Sequence, residues 1–217
     1  MAKTFGYTEI ARMESTQAYR DDPASLDSTL DMITGVGAKG LNALWTGLQV
    51  EDGKTFYMTV VWDDVEDHRA FMADKEYWNS VYEVYCKSAL FDITKRDSLL
   101  HVPFTTDSNV HMNKPVTEFT IMELKPGQSA AAIEAIIKKE AEQRNELLKD
   151  RTSRGRFAWG ITNEISEMYV IMTGWDSVED SEDFRKEYKD RLVNFMTALS
   201  DVAQGTTERY RLTRHKA

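Results

Sequence analysis

The sequence predicts an α+β protein made of two fused copies of one βαββαβ domain, and three observations carry that prediction. The stretch Phe56–Asp67 returns as Tyr169–Asp180, with Trp62 and Trp175 standing 113 positions apart. An upstream landmark repeats with it: Trp45 lies 17 residues before Trp62, and Trp159 lies 16 before Trp175. A period this long marks paired domains and not a solenoid. Each half then has roughly 100 residues, a normal size for one hydrophobic core.

In the first half Phe5–Met13 alternates as a strand, and Asp22-Pro23 opens a helix over Asp22–Thr34. Asn42–Val50 and Lys54–Trp62 form a hairpin through Glu51-Asp52-Gly53, because aspartate and glycine supply the turn. Val65–Ser88 follows as a helix with a break near Asp74, and Leu99–Phe104 closes the half. In the second half Val116–Leu124 is a strand ended by Lys125-Pro126-Gly127. Apolar residues at 133, 136, 137, 141, 147 and 148 give Ser129–Lys149 a helical period. Arg154–Thr162 and Met168–Trp175 form the second hairpin. Ser177–Val202 is helical, with Phe184, Tyr188, Leu192, Phe195 and Leu199 on one stripe, and Thr206–Thr213 is the last strand. This order is the ferredoxin-like split unit. The domains are expected at residues 1–105 and 116–217, with 106–115 as linker.

Such a sheet carries its helices on one face and needs cover for the other. Phe56, Met58, Val60 and Trp62 lie on one side of their strand, Tyr57, Thr59 and Val61 on the other, so both faces are expected to be buried. The prediction is two sheets packed face to face with helices outside, a pseudo-twofold barrel within one polypeptide.

Composition narrows the function. Hydrophobic residues are 41% and aromatic residues 11% of the chain. No apolar run approaches the roughly 20 residues that span a bilayer, so no membrane partner is expected. Cys86 is the single cysteine, Met1-Ala2-Lys3-Thr4-Phe5 lacks the apolar core expected of a secretory signal, and no Asn-x-Ser/Thr site occurs. These features predict a reducing, cytoplasmic location. Net charge is −9, of which residues 1–108 carry −8 and residues 109–217 carry −1. Such a surface repels phosphate backbones, and the cluster Arg151, Arg154, Arg156 reads as a solvated helix end, so nucleic acid is not an expected partner.

Two short motifs have plainer explanations. Asp63-Asp64-Val65-Glu66-Asp67 spells the DDxxD metal-diphosphate signature, but it is expected to be a capping box in which Asp63 caps the helix and Glu66 reaches back. In the repeat Ser177 replaces the second aspartate, which metal chemistry would need and capping would not. Gly35-Val36-Gly37-Ala38-Lys39-Gly40 spells GxGxxG. Here it follows a helix and precedes a strand, so no helix amino terminus meets a pyrophosphate. These glycines are expected to reverse the chain.

The second half contains Val116-Thr117-Glu118-Phe119 and Leu124-Lys125-Pro126-Gly127, with Trp175-Asp176-Ser177 ending the third strand. In these it resembles the antibiotic biosynthesis monooxygenase-like (ABM) families of the dimeric α/β-barrel superfamily. The doubled form, with His101-Val102-Pro103-Phe104 closing the first half, is similar to the two-domain versions common in fungi. The resemblance implies two ferredoxin-like domains in an intrachain dimeric α/β barrel. Its members include cofactor-free oxygenases, haem-degrading enzymes, polyketide cyclases, decarboxylases and stress proteins, so fold cannot select the function. Trp62 and Trp175 match the tryptophan that lines the sheet–helix cavity of the haem-degrading and quinone-forming members. The first-strand Asn of the haem degraders has no counterpart in Val116–Leu124, and their second-helix His has none in Ser177–Val202.

Candidate site residues follow from the aromatic and titratable groups. Trp78, Val81, Tyr82 and Tyr85 share one helix face, as core packing or as the wall of a cavity for a flat apolar ligand. His101 shares the face of Leu99; inside a cavity it is the natural base for a phenolic or enolic proton, and otherwise a hydrogen-bonded structural residue. His68 reads as a helix-surface residue, His111 as a linker residue and His215 as a tail residue. No cluster has metal-ligand spacing, and no cofactor or metal is expected. The catalytic candidates are His101, Tyr82 and Trp62, with Tyr57, Trp78, Tyr85, Trp45 and Trp175 as substrate contacts. If one cavity is open, the first half is expected to hold it.

The leading expectation is a cofactor-independent enzyme of polyketide- or terpenoid-like secondary metabolism. It would oxygenate, cyclise, decarboxylate or isomerise a small hydrophobic oxygenated molecule. The alternative is a non-catalytic stress-responsive or ligand-binding protein, and pairing into homodimers stays open.

Overall fold

The computed structural model describes residues 5–35, 37–75, 78–79, 82, 86, 89–90, 98–148 and 155–215. The chain divides into two compact units, Met1–Phe104 with Tyr210–Ala217, and Thr105–Arg209.

The first unit starts with β1 (Tyr7–Ser15), α1 (Gln17–Asp21), a 3-10 turn (Pro23–Leu26) and α2 (Asp27–Gly35). It continues with β2 (Leu41–Gln49), β3 (Thr55–Trp62), α3 (Val65–Ala73), β4 (Ala89–Leu90) and β5 (Leu99–Val102). The helix predicted over 22–34 is divided. Asp22 is extended, at φ −144° and ψ 90°, because the following proline ring disfavours helical backbone before it. The predicted break near Asp74 is present: α3 stops at Ala73, where Asp74 turns to ψ 88°.

All strand pairs here are antiparallel, in the order β5-β1-β3-β2, with β4 on the far end of β1. Register decides which side chains meet. Tyr7 opposes Trp62, Glu9 opposes Val60, and on the other side Glu9 opposes His101. Phe56, Met58, Val60 and Trp62 pack with Leu26, Leu30 and Ile33 of the helical layer. Each such buried side chain contributes about 1.5–3 kcal/mol. From Phe56 to Trp62 every residue of β3 is buried, on both faces, as the sequence predicts.

The second unit contains α4 (Asn109–Met112), β6 (Val116–Leu124), α5 (Ala130–Leu147), β7 (Phe157–Ile161) and β8 (Met168–Trp175). After these come α6 (Val178–Glu187), α7 (Lys189–Val202) and β9 (Ala203–His215). Its strand order, β9-β6-β8-β7, repeats that of the first unit. Residues 210–215 of β9 lie in the first unit and pair with β2, Gln49 opposing Tyr210 and Leu44 opposing His215. The helix predicted over 177–202 is two helices, divided at Tyr188 (φ −113°, ψ 28°). The polar segment 106–115 carries α4, whose His111 and Met112 are buried.

The capping residues differ from expectation by one position. Asp64, not Asp63, caps α3 by accepting from the Glu66 amide, while Asp63 accepts from Asn42 at 2.8 Å. In the second unit Ser177 caps α6 by accepting from the Asp180 amide at 3.0 Å. Serine replaces the second aspartate because both are good caps. Gly37 and Gly40 have positive φ, 61° and 77°, as expected for glycines that reverse the chain. Among the described residues no helix is long and apolar enough to cross a membrane.

Candidate active site

Four side chains of the first unit converge inside its sheet–helix layer. Glu9 and His101 are cross-strand neighbours on β1 and β5, pointing to the helical face. Trp62 ends β3, beside Tyr7. Gly6 precedes β1 at φ +73°, where a Cβ would meet the Trp62 carbonyl oxygen at 2.2 Å, so only glycine lets the strands close at this corner. His68 comes from α3, one turn after buried Val65, and turns inward with it.

The four are nearly excluded from solvent: Trp62 is 1% exposed, Glu9 4%, His101 5% and His68 6%. Trp62 Nε1 donates to Glu9 Oε2 at 2.7 Å. His68 Nε2 lies 3.5 Å from the same oxygen. His68 Nδ1 and His101 Nε2 are 2.7 Å apart, a hydrogen bond. Two facing nitrogens need one proton between them, and the Glu9 carboxylate favours a proton on His68 Nε2. Neutral His68 is then the Nε2–H tautomer, whose Nδ1 accepts from His101 Nε2–H. A buried carboxylate is costly unless satisfied, and this chain of donors satisfies it. The result is a carboxylate–imidazole–imidazole line that can accept and pass a proton. The same three residues offer one metal-ligand atom each, all within 4.8 Å of one another.

The sequence-predicted residues distribute unevenly around this line. His101 and Trp62 belong to it. Trp78 is half-buried and meets Phe71 edge-on at 6.2 Å, and Phe71 meets Trp62 at 5.8 Å. Tyr82 lies beyond Trp78, at 6.0 Å between rings, and is exposed; its hydroxyl, bonded to Cys86, titrates above the usual range. Tyr85 lies outside the described residues. Tyr57 and Trp45 are buried on the other face of the sheet from Trp62, as the registers Tyr57 to Gly47 and Trp45 to Thr59 require. Tyr57 stacks on Tyr210 at 3.7 Å, and Arg214 covers Trp45 at 5.5 Å. Trp175 is in the second unit, against Phe184 at 5.2 Å.

Sequence reasoning misses Glu9 and places His68 on the surface; the structure buries both. A signal for each exists. Glu9 interrupts the apolar face it shares with Ala11 and Met13, and Thr-Glu recurs at the start of the second half as Thr117-Glu118. His68 shares the inward stripe of Val65 and Phe71.

In the second unit Glu118 stands where Glu9 stands, opposing Thr173 of β8 as Glu9 opposes Val60. Ser181 replaces His68, and the Arg185 guanidinium pairs with the carboxylate. Here the sheet–helix layer opens into a cavity of about 350 Å³. Glu118, Arg185 and Lys189 form its polar side, and Ile171, Leu192 and Phe195 part of its apolar wall. In the first unit a larger cleft, about 530 Å³, runs past Tyr19, Thr46 and His215 and touches neither Trp62 nor His101.

No family profile matches the sequence, and no curated protein matches it. Solved structures share its fold. A candidate monooxygenase from Fusobacterium nucleatum matches with a TM-score of 0.70 and 13% identity, over 100% of this chain and 96% of that one. An anthrone oxidase-like protein gives 0.65 and 13%, over 98% and 93%. A candidate monooxygenase from Lactobacillus acidophilus gives 0.60 and 12%, over 98% and 94%. At such identities the likeness shows a shared α+β fold and leaves chemistry to the site.

Proposed function

We propose that this chain is a small-molecule enzyme of the oxygenase type that works without a tightly bound cofactor. It takes a proton from a flat, hydrophobic, oxygenated substrate, and the electron-rich anion then reacts with dioxygen or rearranges. One observation carries the reading: the 2.7 Å contact between His68 and His101 inside a buried cluster that ends on Glu9. His101 is the base. His68 shares the arriving proton, and Glu9 stabilises the imidazolium that results. Trp62 fixes the carboxylate and closes the site to water. The names of the structures that share the fold, two candidate monooxygenases and an anthrone oxidase-like protein, support this reading.

The proposal extends to origin and substrate. The two units are read as duplicated ABM-type domains of the fungal two-domain kind, supported by their common strand order and by the pairs Trp62 with Trp175 and Glu9 with Glu118. Substrates are read as polyketide- or terpenoid-like molecules, with anthrones as the first class to try. The test is oxygen uptake with a panel of anthrones and polycyclic phenols. Uptake that disappears in His101→Ala while Glu118→Gln retains it supports the reading. Uptake that survives in His101→Ala removes His101 as the base.

A ligand-binding protein without turnover is the second reading. It is favoured by the second-unit cavity, which none of Glu9, His68 and His101 lines. Tight binding of the same panel with no turnover, abolished by filling the cavity through Leu192→Trp, would select it.

A further inference from the structure

We infer that Glu9, His68 and His101 also form a binding site for one divalent transition-metal ion of the Zn²⁺ class, and that occupancy blocks proton transfer through the line. The blocking half rests on the proton-transfer reading above; the binding half does not.

The donor set comes first. Two imidazole nitrogens and one carboxylate oxygen form the His₂Glu pattern that borderline transition metals favour. Hard cations such as Ca²⁺ call for six to eight oxygens, and this cluster offers one carboxylate. The three donors sit on β1, β5 and α3, so each is placed by separate backbone. Zinc bonds of about 2.0–2.2 Å in tetrahedral geometry set neighbouring donors roughly 3.4 Å apart. The His68 Nε2–Glu9 Oε2 separation of 3.5 Å already meets that spacing. All three donors fall within 4.8 Å, so small side-chain rotations bring the third into range. A metal ligand also needs an outer partner to hold it, and the Trp62 indole N–H supplies one to Glu9 at 2.7 Å.

The second unit gives an independent indication. Its equivalent carboxylate, Glu118, is paired with the fixed cation Arg185. Among the described residues Glu9 has no lysine or arginine partner and lies beside two imidazoles instead. A carboxylate that takes a guanidinium in one copy is set up in the other to take a cation from solution. A metal would replace the protons that His68 and His101 hold and pass within this line, so the two uses exclude each other.

The test is a Co²⁺ titration of the full chain after chelation, read by the visible d–d bands of cobalt, with a parallel Zn²⁺ titration by calorimetry. The expected result is one equivalent bound, with intense tetrahedral bands. His101→Ala and His68→Ala should lose that equivalent, and Trp62→Phe, an outer partner, should weaken it by about tenfold. Glu118→Gln should leave it intact. Circular dichroism confirms folding, and His101→Gln replaces any alanine variant that unfolds. Absence of bands, or bands that persist in both histidine variants, overturns the site. Bands with undiminished oxygen uptake at saturating Zn²⁺ overturn the blocking half. Loss of turnover in every metal-free preparation, with cobalt bands unchanged, would fault the enzymatic reading and leave the metal site standing.

Discussion

The two units answer one structural question differently. Each places a glutamate on its first strand, opposite the third strand and two residues from a buried tryptophan. In the first unit that carboxylate is met by an indole N–H and two imidazoles, and the surrounding layer is packed. In the second it is met by Arg185 and Ser181, and the layer opens into a cavity of about 350 Å³. A fixed guanidinium neutralises a carboxylate permanently, whereas imidazole nitrogens in a line can accept and pass a proton. The difference teaches that units of the same strand order can surround an equivalent carboxylate differently, with imidazoles in one and a guanidinium beside open space in the other.

The strongest way to break this comparison is to exchange the chemistry. His101→Ala should lower turnover by about 10²–10⁴-fold, the range for a general base, and Glu118→Gln should change it little. Steady-state oxygen uptake reads both, and equal losses would erase the distinction.

The second unit has a buried histidine of its own, His111. Burial holds His111 down to about 4, and its Nδ1 accepts from the Gly174 amide, which protonation would prevent. Unfolded His111 takes a proton near pH 6.5 while the folded state refuses it until about 4. Stability is therefore full above pH 6.5, falls as pH drops toward 4, and levels off below that. The loss from this group is about 3 kcal/mol. Urea denaturation at pH 7.5 and 4.5 measures it, and His111→Gln should flatten the profile.

A gentler pair of variants separates the two tryptophans. Trp62→Phe keeps an aromatic ring but leaves Glu9 without its indole donor, at a cost of about 1–3 kcal/mol. Trp175 Nε1 is buried without an acceptor among the described residues, so Trp175→Phe should cost less than Trp62→Phe. Midpoints of thermal unfolding compare them, and equal shifts would deny Glu9 its dependence on Trp62.

The smallest effect sharpens the equivalence of the helix starts. Asp64→Ala and Ser177→Ala should each cost about 1 kcal/mol, whereas Asp63→Ala should cost less, since Asp63 caps nothing.

The α+β fold was legible because the stretch Phe56–Asp67 recurs as Tyr169–Asp180, a signal no local propensity can mimic, and because Phe56–Trp62 reads as apolar on both faces. The site was half legible. His101 alternates with Leu99, and Trp62 ends its strand, so period two places both. His68 was misread because it sits close to the helix cap, where polar residues usually face water. A polar side chain in the first turn of a helix reads as solvated, and only the spacing of three from buried Val65 turns His68 inward. Glu9 was missed because a carboxylate on an inward face reads as an error in the pattern until its partners, 53 and 59 residues later for Trp62 and His68, are known. Trp45 and Tyr57, expected as substrate contacts, lie across the sheet from Trp62 because hairpin register puts them there.

The last stretch of β9 has a bearing on biogenesis. Tyr210–His215 pairs with β2, yet the ribosome makes residues 105–209 between the two. At about 5–20 residues per second the edge of β2 stays uncovered for roughly 5–20 s after the first unit is otherwise complete. An open strand edge invites pairing with other nascent chains. Slow translation should therefore lower the yield of native protein more than slow folding does, and chaperone demand should peak before the final strand emerges.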